Sequence, residues 1–137
     1  MPEASGLHLM KILVSDSLHQ RGIEALENAA GFEVEVNTSL TQEELLGIIK
    51  NYDALVIRSS TKVTAEVIEA AHRLRVIGRA GIGLDNVDIG AASKRGIVVM
   101  NTPDGNVITT AEHAVAMLMA LSRNIPQAAA SMRTYRW

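Results

Sequence analysis

The sequence predicts an α/β protein with five parallel strands and helices on both faces of the sheet. Short apolar runs typical of strands alternate with amphipathic stretches typical of helices over the first hundred residues. The run Ala54–Ile57 is apolar throughout, as expected of a central strand that is buried on both faces. The run Phe32–Val36 alternates apolar and acidic residues, which suits a strand near an edge.

The first crossover joins two predicted strands through one helix. Met10–Val14 is a short apolar run that ends in polar residues, as a strand would. Ser17 and Gln20 have the spacing of a capping box, which predicts a helix from Ser17 to about Asn28. The edge-like strand Phe32–Val36 then follows.

The next two helices flank the central strand. Thr41 and Glu44 form a second capping box, which predicts a helix that continues to about Asn51. The strand Ala54–Ile57 comes after it, and a further helix is predicted at Thr64–Ala71.

Two more strands complete the predicted sheet. We expect a strand at Val76–Gly78, a helix at Asp88–Lys94 that Gly96 ends, and a fifth strand at Ile97–Met100. The flavodoxin-like strand order 2-1-3-4-5 is the simplest template for these connections. It places the edge-like second strand at an edge.

The pattern changes after Pro103, where no further strand is predicted. Thr109 and Glu112 form a third capping box that opens a long apolar helix to about Arg123, and Pro126 opens another helical segment through about Met132. Three regions result. They are a leader at 1–9 expected to lack fixed structure, an α/β domain at 10–101, and a linker with a helical extension at 102–137.

Composition excludes several classes of function. The net charge of −2 offers no electrostatic attraction to nucleic acid or to an anionic membrane. The chain contains no cysteine, which excludes disulfides and thiolate chemistry. The longest apolar run, Ala114–Leu121, would span roughly 12 Å as a helix, too short for a bilayer. With no signal peptide apparent, a cytoplasmic location is the default expectation.

Chemistry is expected beyond the carboxyl ends of the strands, where open parallel sheets bind ligands. Arg58 and Arg79 end strands that are neighbours in the proposed order. Their planar guanidinium groups predict a site for phosphate or carboxylate. The alternative is that each arginine pairs with a surface carboxylate.

The segment Gly81-Ile82-Gly83 follows the fourth strand. It is not the dinucleotide fingerprint G-x-G-x-x-G, because Asn86 stands where the third glycine belongs. The glycines either let the backbone approach an anion closely or serve a tight turn. No nucleophile–base arrangement can be assembled from the chain, and no histidine has neighbours that suggest a metal site.

Several segments together resemble the D-isomer-specific 2-hydroxyacid dehydrogenases over about residues 10–137. The clearest is Gly78–Asp88, whose sequence reads GRAGIGLDNVD. The other matching segments, in the family's order and spacing, are 10–16, 56–64, 99–106, 110–113 and 123–128. The motifs favour the branch that oxidises 3-phosphoglycerate with NAD at the first step of serine biosynthesis.

The resemblance implies roles for the residues at the strand ends. The substrate-binding residues would be Arg58, Ser59, Arg79, Ala80, Gly81, Ile82 and Gly83. Ile82 would also lie on the nicotinamide side of the cleft. The family's catalytic arginine, its His–Glu pair and its glycine-rich NAD loop are expected after Trp137. The chain is therefore interpreted as a truncated enzyme, inactive alone, with no catalytic residue and no tight NAD binding of its own.

The long helix carries a separate expectation. Ala114–Leu121 is apolar on every side, so the helix needs cover from another domain, from a second copy, or from its own core. In the resembled family this region begins the nucleotide-binding domain and forms the dimer, which implies a homodimer through Thr109–Arg123. The alternatives left open are a fragment of a glyoxylate or hydroxypyruvate reductase, and a non-catalytic anion-binding or dimerisation module.

Overall fold

The computed structural model describes residues 9–135, which divide into two compact units at Pro103 and Asp104. The first unit contains a five-stranded, wholly parallel sheet in the order β2-β1-β3-β4-β5, which confirms the predicted fold class. The strands are β1 Met10–Val14, β2 Phe32–Val36, β3 Ala54–Ile57, β4 Val76–Arg79 and β5 Val98–Asn101. All but Leu9 of the predicted leader lies outside the described residues.

Four helices connect these strands. They are α1 Gln20–Glu27, α2 Gln42–Ile48 with a 3-10 turn at Ile49–Asn51, α3 Ala65–Ala70 and α4 Ile89–Lys94. Right-handed crossovers that run in opposite directions along a sheet place their helices on opposite faces. The crossover that holds α1 runs toward the β2 edge and the other three run toward β5. Helix α1 therefore lies on one face and the other three on the other.

The hydrophobic core lies between the sheet and helices α2, α3 and α4. Leu13, Leu55 and Ile77, which face the same side of three neighbouring strands, are fully buried there. Val67 and Ile68 of α3 complete the same cluster. The opposite face is less covered toward its β5 edge. Val98 is 54% exposed and Met100 57% exposed.

Two of the predicted helix starts are wrong. Helix α1 begins at Gln20 because the Nδ1 atom of His19 accepts the backbone N–H of Arg21 at 3.2 Å, so no capping box forms at Ser17. The long helix begins at Val107, two residues before the expected Thr109. The Thr109 hydroxyl lies inside the first turn and donates to the carbonyl oxygen of Asn106 at 3.1 Å.

The second unit consists of helices α5 Val107–Ser122 and α6 Ile125–Arg133. Asn124 adopts a left-handed conformation with a φ of 52° between them, and Pro126 occupies the first turn of α6. The apolar side chains of α5 are exposed, with Leu118 at 66% and Leu121 at 75%. Within residues 9–135 no helix combines the length and apolarity needed to cross a membrane.

Candidate functional site

The carboxyl edge of the sheet brings together the loops that follow β3 and β4. Ile57 pairs with Arg79 across these strands, so Arg58 leaves β3 beside the point where Arg79 ends β4. The two arginines predicted to bind an anion therefore come from adjacent strand ends, as the order 2-1-3-4-5 requires.

Asp16 holds the loop after β3 in place. Asp16 is 4% exposed and follows β1, the strand beside β3. The Oδ2 atom accepts backbone N–H groups from Arg58 at 2.6 Å and from Ser60 and Thr61 at 3.2 Å each. The Oδ1 atom accepts the Thr61 hydroxyl at 3.0 Å. A buried carboxylate with this many donors fixes a loop that would otherwise leave several polar groups unpaired.

Asn86 connects the loop after β3 to the side chain of Arg79. Its Nδ2 atom donates to the carbonyl oxygens of Arg58 and Thr61, each at 2.7 Å. Its Oδ1 atom accepts the Nε–H of Arg79 at 3.1 Å. One half-buried carboxamide therefore links both loops.

The glycine segment is bound from both sides. The Gly81 amide donates to the carbonyl oxygen of Arg79 at 2.9 Å, and the Gly81 carbonyl accepts the Thr102 amide at 3.0 Å. From β5, the Nδ2 atom of Asn101 donates to the carbonyl oxygen of Ile82 at 2.7 Å. The loop therefore has a defined position at the rim.

Gly81 is needed for close approach and not for an unusual backbone angle. Gly31 and Gly96 are the described glycines with positive φ, so neither Gly81 nor Gly83 requires a left-handed conformation. A Cβ atom at Gly81 would overlap Nη1 of Arg79 and lie 3.1 Å from its Cζ atom. The glycine thus lets the guanidinium fold over the loop backbone, which a tight turn alone would not explain.

The two arginines have no acidic partner in the described part of the chain. Ion pairs there join Lys11 to Glu33 at 3.0 Å and Arg73 to Asp53 at 2.9 Å. Neither Arg58 nor Arg79 forms an ion pair within the described residues, which favours the anion-site interpretation over pairing with a surface carboxylate. Arg58 is exposed and its Nη1 atom contacts the Ser17 carbonyl oxygen at 3.4 Å.

The other predicted site residues lie along the same rim. Ser59, Ala80 and Gly83 are exposed, Gly81 is half-buried, and Ile82 is 40% exposed. The guanidinium groups of Arg58 and Arg79 lie at this edge without an ion-pair partner in residues 9–135, and such groups can bind an anion by charge-assisted hydrogen bonds. The edge contains no acid–base pair among the described residues.

Ionisable groups with shifted pKa values lie away from the rim. Burial, followed by the hydrogen bond to Glu35 at 2.6 Å, raises the pKa of the Tyr52 phenol well above its usual range. The backbone N–H and then the hydroxyl of Thr41 lower the pKa of Glu44. Residues 9–135 contain no cluster of three potential metal-ligating side chains.

Sequence reasoning did not assign roles to Asp16 and Asn86. Asp16 was recognised only as a residue at a strand end, and Asn86 only as the residue that breaks a glycine fingerprint. The signal in the sequence was one polar residue in the loop after β1 and another in the loop after β4. The backbone amides that Asp16 accepts are 42 to 45 residues away in the sequence, and the backbone carbonyls to which Asn86 donates are 25 to 28 residues away. Sequence alone cannot identify such distant partners.

Comparison with known proteins places these observations in one family. Residues 12–136 match the sequence model for the D-isomer specific 2-hydroxyacid dehydrogenase catalytic domain. The chain is 53% identical over 129 residues to D-3-phosphoglycerate dehydrogenase of Methanocaldococcus jannaschii, and 50% identical over 129 residues to that of Synechocystis. The human D-3-phosphoglycerate dehydrogenase is 48% identical over 130 residues.

Solved structures agree with this placement. The fold superposes on a Pyrococcus horikoshii protein with a TM-score of 0.79 at 33% identity, covering 93% of this chain and 38% of that one. NAD+-bound 3-phosphoglycerate dehydrogenase of Entamoeba histolytica gives a TM-score of 0.70 at 33% identity over 82% of this chain and 39% of that one. The matches cover 94 to 95% of this chain but only about a quarter of those three relatives, 23 to 24% of their length.

Proposed function

The chain belongs to the D-isomer specific 2-hydroxyacid dehydrogenase family, and from that membership we propose that it is the substrate-binding part of an NAD-dependent D-3-phosphoglycerate dehydrogenase. The reaction would be the oxidation of 3-phosphoglycerate to 3-phosphohydroxypyruvate. The observation that carries the proposal is the pair Arg58 and Arg79, at adjacent strand ends and without carboxylate partners in the described chain. Its support from relatives is about 50% identity to enzymes of that name.

Each rim residue has a binding role in this proposal. The two guanidinium groups hold the charged groups of the substrate, because a planar fork of donors matches a carboxylate or a phosphate. Two cations suit a doubly charged acid better than glyoxylate, which carries one carboxylate. The exposed Ser59 hydroxyl and the backbone of 80–83 complete the polar edge.

The described residues do not form a dinucleotide site by themselves. The segment 81–83 is followed by a turn at 85–86 and a β-bridge at Val87, and α4 begins only at Ile89, so no helix N-terminus follows the glycines directly. The exposed side chain of Ile82 could contact a nicotinamide ring at the rim, and NAD itself would be held by residues of the complete enzyme. The chain alone therefore binds NAD weakly in this proposal and has no dehydrogenase activity.

The proposal is tested first by anion binding. Titration of 3-phosphoglycerate into isotopically labelled protein should shift resonances of the loops after β3 and β4, with a dissociation constant near millimolar, roughly 4 kcal/mol. Arg79→Ala should remove most of the response. Arg75→Ala is the matched control, since Arg75 is exposed at the opposite end of β4. Shifts that map elsewhere, or that survive Arg79→Ala, contradict the proposed site.

Activity is tested by measuring NADH formation from 3-phosphoglycerate with the purified chain. We expect none, because the described residues contain neither the fingerprint nor an acid–base pair for proton transfer. Turnover near a typical enzyme's rate, on the order of 10 per second, would contradict this part of the proposal.

Self-association through α5 is the second part of the proposal. Val115, Met117, Leu118, Met119 and Leu121 are all more than half exposed. A twofold pairing would bury the same surface on both copies and close without open-ended assembly. The homodimer is therefore proposed to form through the helix predicted at Thr109–Arg123, whose observed bounds are Val107–Ser122.

A further inference from the structure

We propose that Asn86 is a positioning residue for Arg79, and that its carboxamide determines which guanidinium atoms are available to an anion. The inference rests on the proposed anion site and adds to it a residue that acts through another side chain. Asn86 hydrogen-bonds both to the Arg79 side chain and to two backbone carbonyl groups of the neighbouring loop.

The orientation of the Asn86 carboxamide is determined by its partners. A carboxamide has two N–H donors and one oxygen acceptor. The donors point to the carbonyl oxygens of Arg58 and Thr61, both at 2.7 Å, so the amide oxygen must point the other way. A flipped amide would bring its oxygen against two carbonyl oxygens and its NH2 group against a guanidinium. Only the observed orientation satisfies all three groups.

This orientation selects one donor of Arg79. The amide oxygen accepts the Nε–H at 3.1 Å, which leaves the four N–H groups on Nη1 and Nη2. Nη1 lies over the backbone of Gly81, on the side of the glycine loop. A guanidinium held at Nε keeps its two outer nitrogens as a paired fork, the arrangement that binds a carboxylate or phosphate in two places.

The same side chain connects the two arginines. It holds the carbonyl oxygen of Arg58 and that of Thr61, so the loop after β3 is fixed relative to the Arg79 guanidinium. Asp16 holds the same loop from the other side through its amides. A substrate with two charged groups needs both arginines at a set separation, and ordering them before binding reduces the entropy lost on binding.

The test begins with the unliganded protein. We expect the Arg79 Nε–H resonance to be ordered and slow to exchange in the wild type, and mobile in Asn86→Ala. Asn51→Ala is the control, because Asn51 is an exposed asparagine in the 3-10 turn before β3, at the opposite end of the sheet from the end of β4. Its Arg79 resonance should be unchanged. If the Arg79 Nε–H is as mobile in the wild type as that of the exposed Arg75, or if Asn86→Ala leaves it unchanged, the proposal is wrong.

Binding of inorganic phosphate provides the second measurement. Asn86→Ala should weaken it by about 3- to 10-fold, consistent with the lost ordering of one long side chain. Asn51→Ala should leave it near the wild-type value. Asn86→Asp keeps an acceptor for Nε but faces two carbonyl oxygens with a carboxylate, so it should weaken phosphate binding as well. Circular dichroism identifies any variant that fails to fold. If Asn86→Ala fails to fold, Asn86→Asp replaces it, and a mobile Arg79 Nε–H in the wild type would still overturn the proposal.

The two proposals can fail separately. Phosphate binding that Arg79→Ala removes and Asn86→Ala does not change would leave the anion site standing and overturn the role of Asn86. An ordered Arg79 that Asn86→Ala releases, in a protein that binds neither phosphate nor 3-phosphoglycerate, would uphold the positioning role and reject the anion site.

Discussion

At the scale of single residues, Asp16 and Asn86 hold the same loop with opposite hydrogen-bonding groups. The Asp16 carboxylate accepts backbone N–H groups of the loop, whereas the Asn86 carboxamide donates to its carbonyl oxygens. The loop after β3, which carries the exposed Arg58, is thus held both at its amides and at its carbonyl oxygens. Its geometry depends on two side chains from other loops.

Replacing Asp16 should destabilise the protein more than replacing an exposed carboxylate. Asp16→Ala leaves the amides of Arg58, Ser60 and Thr61 without their acceptor, and we expect a loss of about 2 to 4 kcal/mol in the free energy of unfolding. Asp104→Ala, at an exposed position, should change it by less than about 0.5 kcal/mol. Urea unfolding of both variants measures the difference. If Asp16→Ala and Asp104→Ala had equal free energies of unfolding, water would be accepting the three amides in place of the Asp16 carboxylate.

Gly81→Ala should weaken anion binding with little loss of stability. The added Cβ would overlap Nη1 of Arg79, and the flexible end of that side chain can move aside. The displaced guanidinium should then bind 3-phosphoglycerate several-fold more weakly. Gly78→Ala is the control, since nothing lies within 4 Å of a Cβ built there. Titration of both variants tests the claim, and unchanged affinity in Gly81→Ala would refute it.

The site was only partly predictable from the sequence. Arg58 and Arg79 were identifiable because strand order follows from the alternation of elements, and strand ends follow from strand order. Asp16 and Asn86 were not, because their roles depend on hydrogen bonds between loops that are far apart in sequence. The need for glycine at position 81 was also hidden, since it reflects the rotamer of Arg79 and not a backbone angle.

At the scale of elements, capping decides where the helices begin. The Thr41–Glu44 box forms as predicted, with the Glu44 amide donating to the Thr41 hydroxyl oxygen at 3.2 Å and the Thr41 amide to Glu44 at 2.8 Å. The Ser17–Gln20 and Thr109–Glu112 pairs have the same spacing and no box. Spacing alone does not exclude a start a few residues away, as at α1, where the His19 side chain caps the helix by accepting the Arg21 N–H.

The α2 capping box should make stability depend on pH at acid values. Hydrogen bonds from Thr41 lower the pKa of Glu44 in the folded protein below its ordinary value of 4.5. The stabilisation is therefore fully present above the unfolded-state pKa and is lost as pH falls through the lower folded-state value. Glu44→Gln should unfold with a shallower pH dependence below 4.5 than the wild type. Its neighbour Glu43→Gln serves as the control, and a Glu44→Gln profile that matches the wild type would contradict the expectation.

Strand positions were predicted more accurately than helix starts. The strands β1, β2 and β3 have the predicted bounds, while β4 extends one residue further in the carboxyl direction and β5 is shifted by one residue in that direction. Continuous apolar runs mark buried strands clearly because packing on both faces requires them. Helix starts depend on individual hydrogen bonds, which the pattern of apolar residues does not contain.

At the scale of the whole molecule, the exposed surface of α5 should determine the oligomeric state. Leaving five large apolar side chains in water would cost roughly 1 to 2 kcal/mol each relative to burial. We expect light scattering after size exclusion to show a dimer for the wild type. Leu118→Glu should be a monomer, because the substitution would bury an unpaired charge in the proposed α5 interface. Thr110→Glu adds the same charge near the start of α5, outside the apolar run Ala114–Leu121, and should remain dimeric. A folded wild-type monomer at high micromolar concentration would contradict the proposed dimer.

The register of the sheet has a consequence for the order of folding. Paired residues are 22 apart in β1–β2, β3–β4 and β4–β5, as in Val76 with Val98, but 42 apart in β1–β3, as in Leu13 with Leu55. Closing a loop of twice the length costs about 0.6 kcal/mol more entropy, so the two ends of the sheet should form before the central pairing joins them. Ile77→Val should therefore slow refolding, whereas Leu13→Ala should act mainly by accelerating unfolding. Stopped-flow kinetics with the opposite pattern would place the β1–β3 pairing in the transition state for folding.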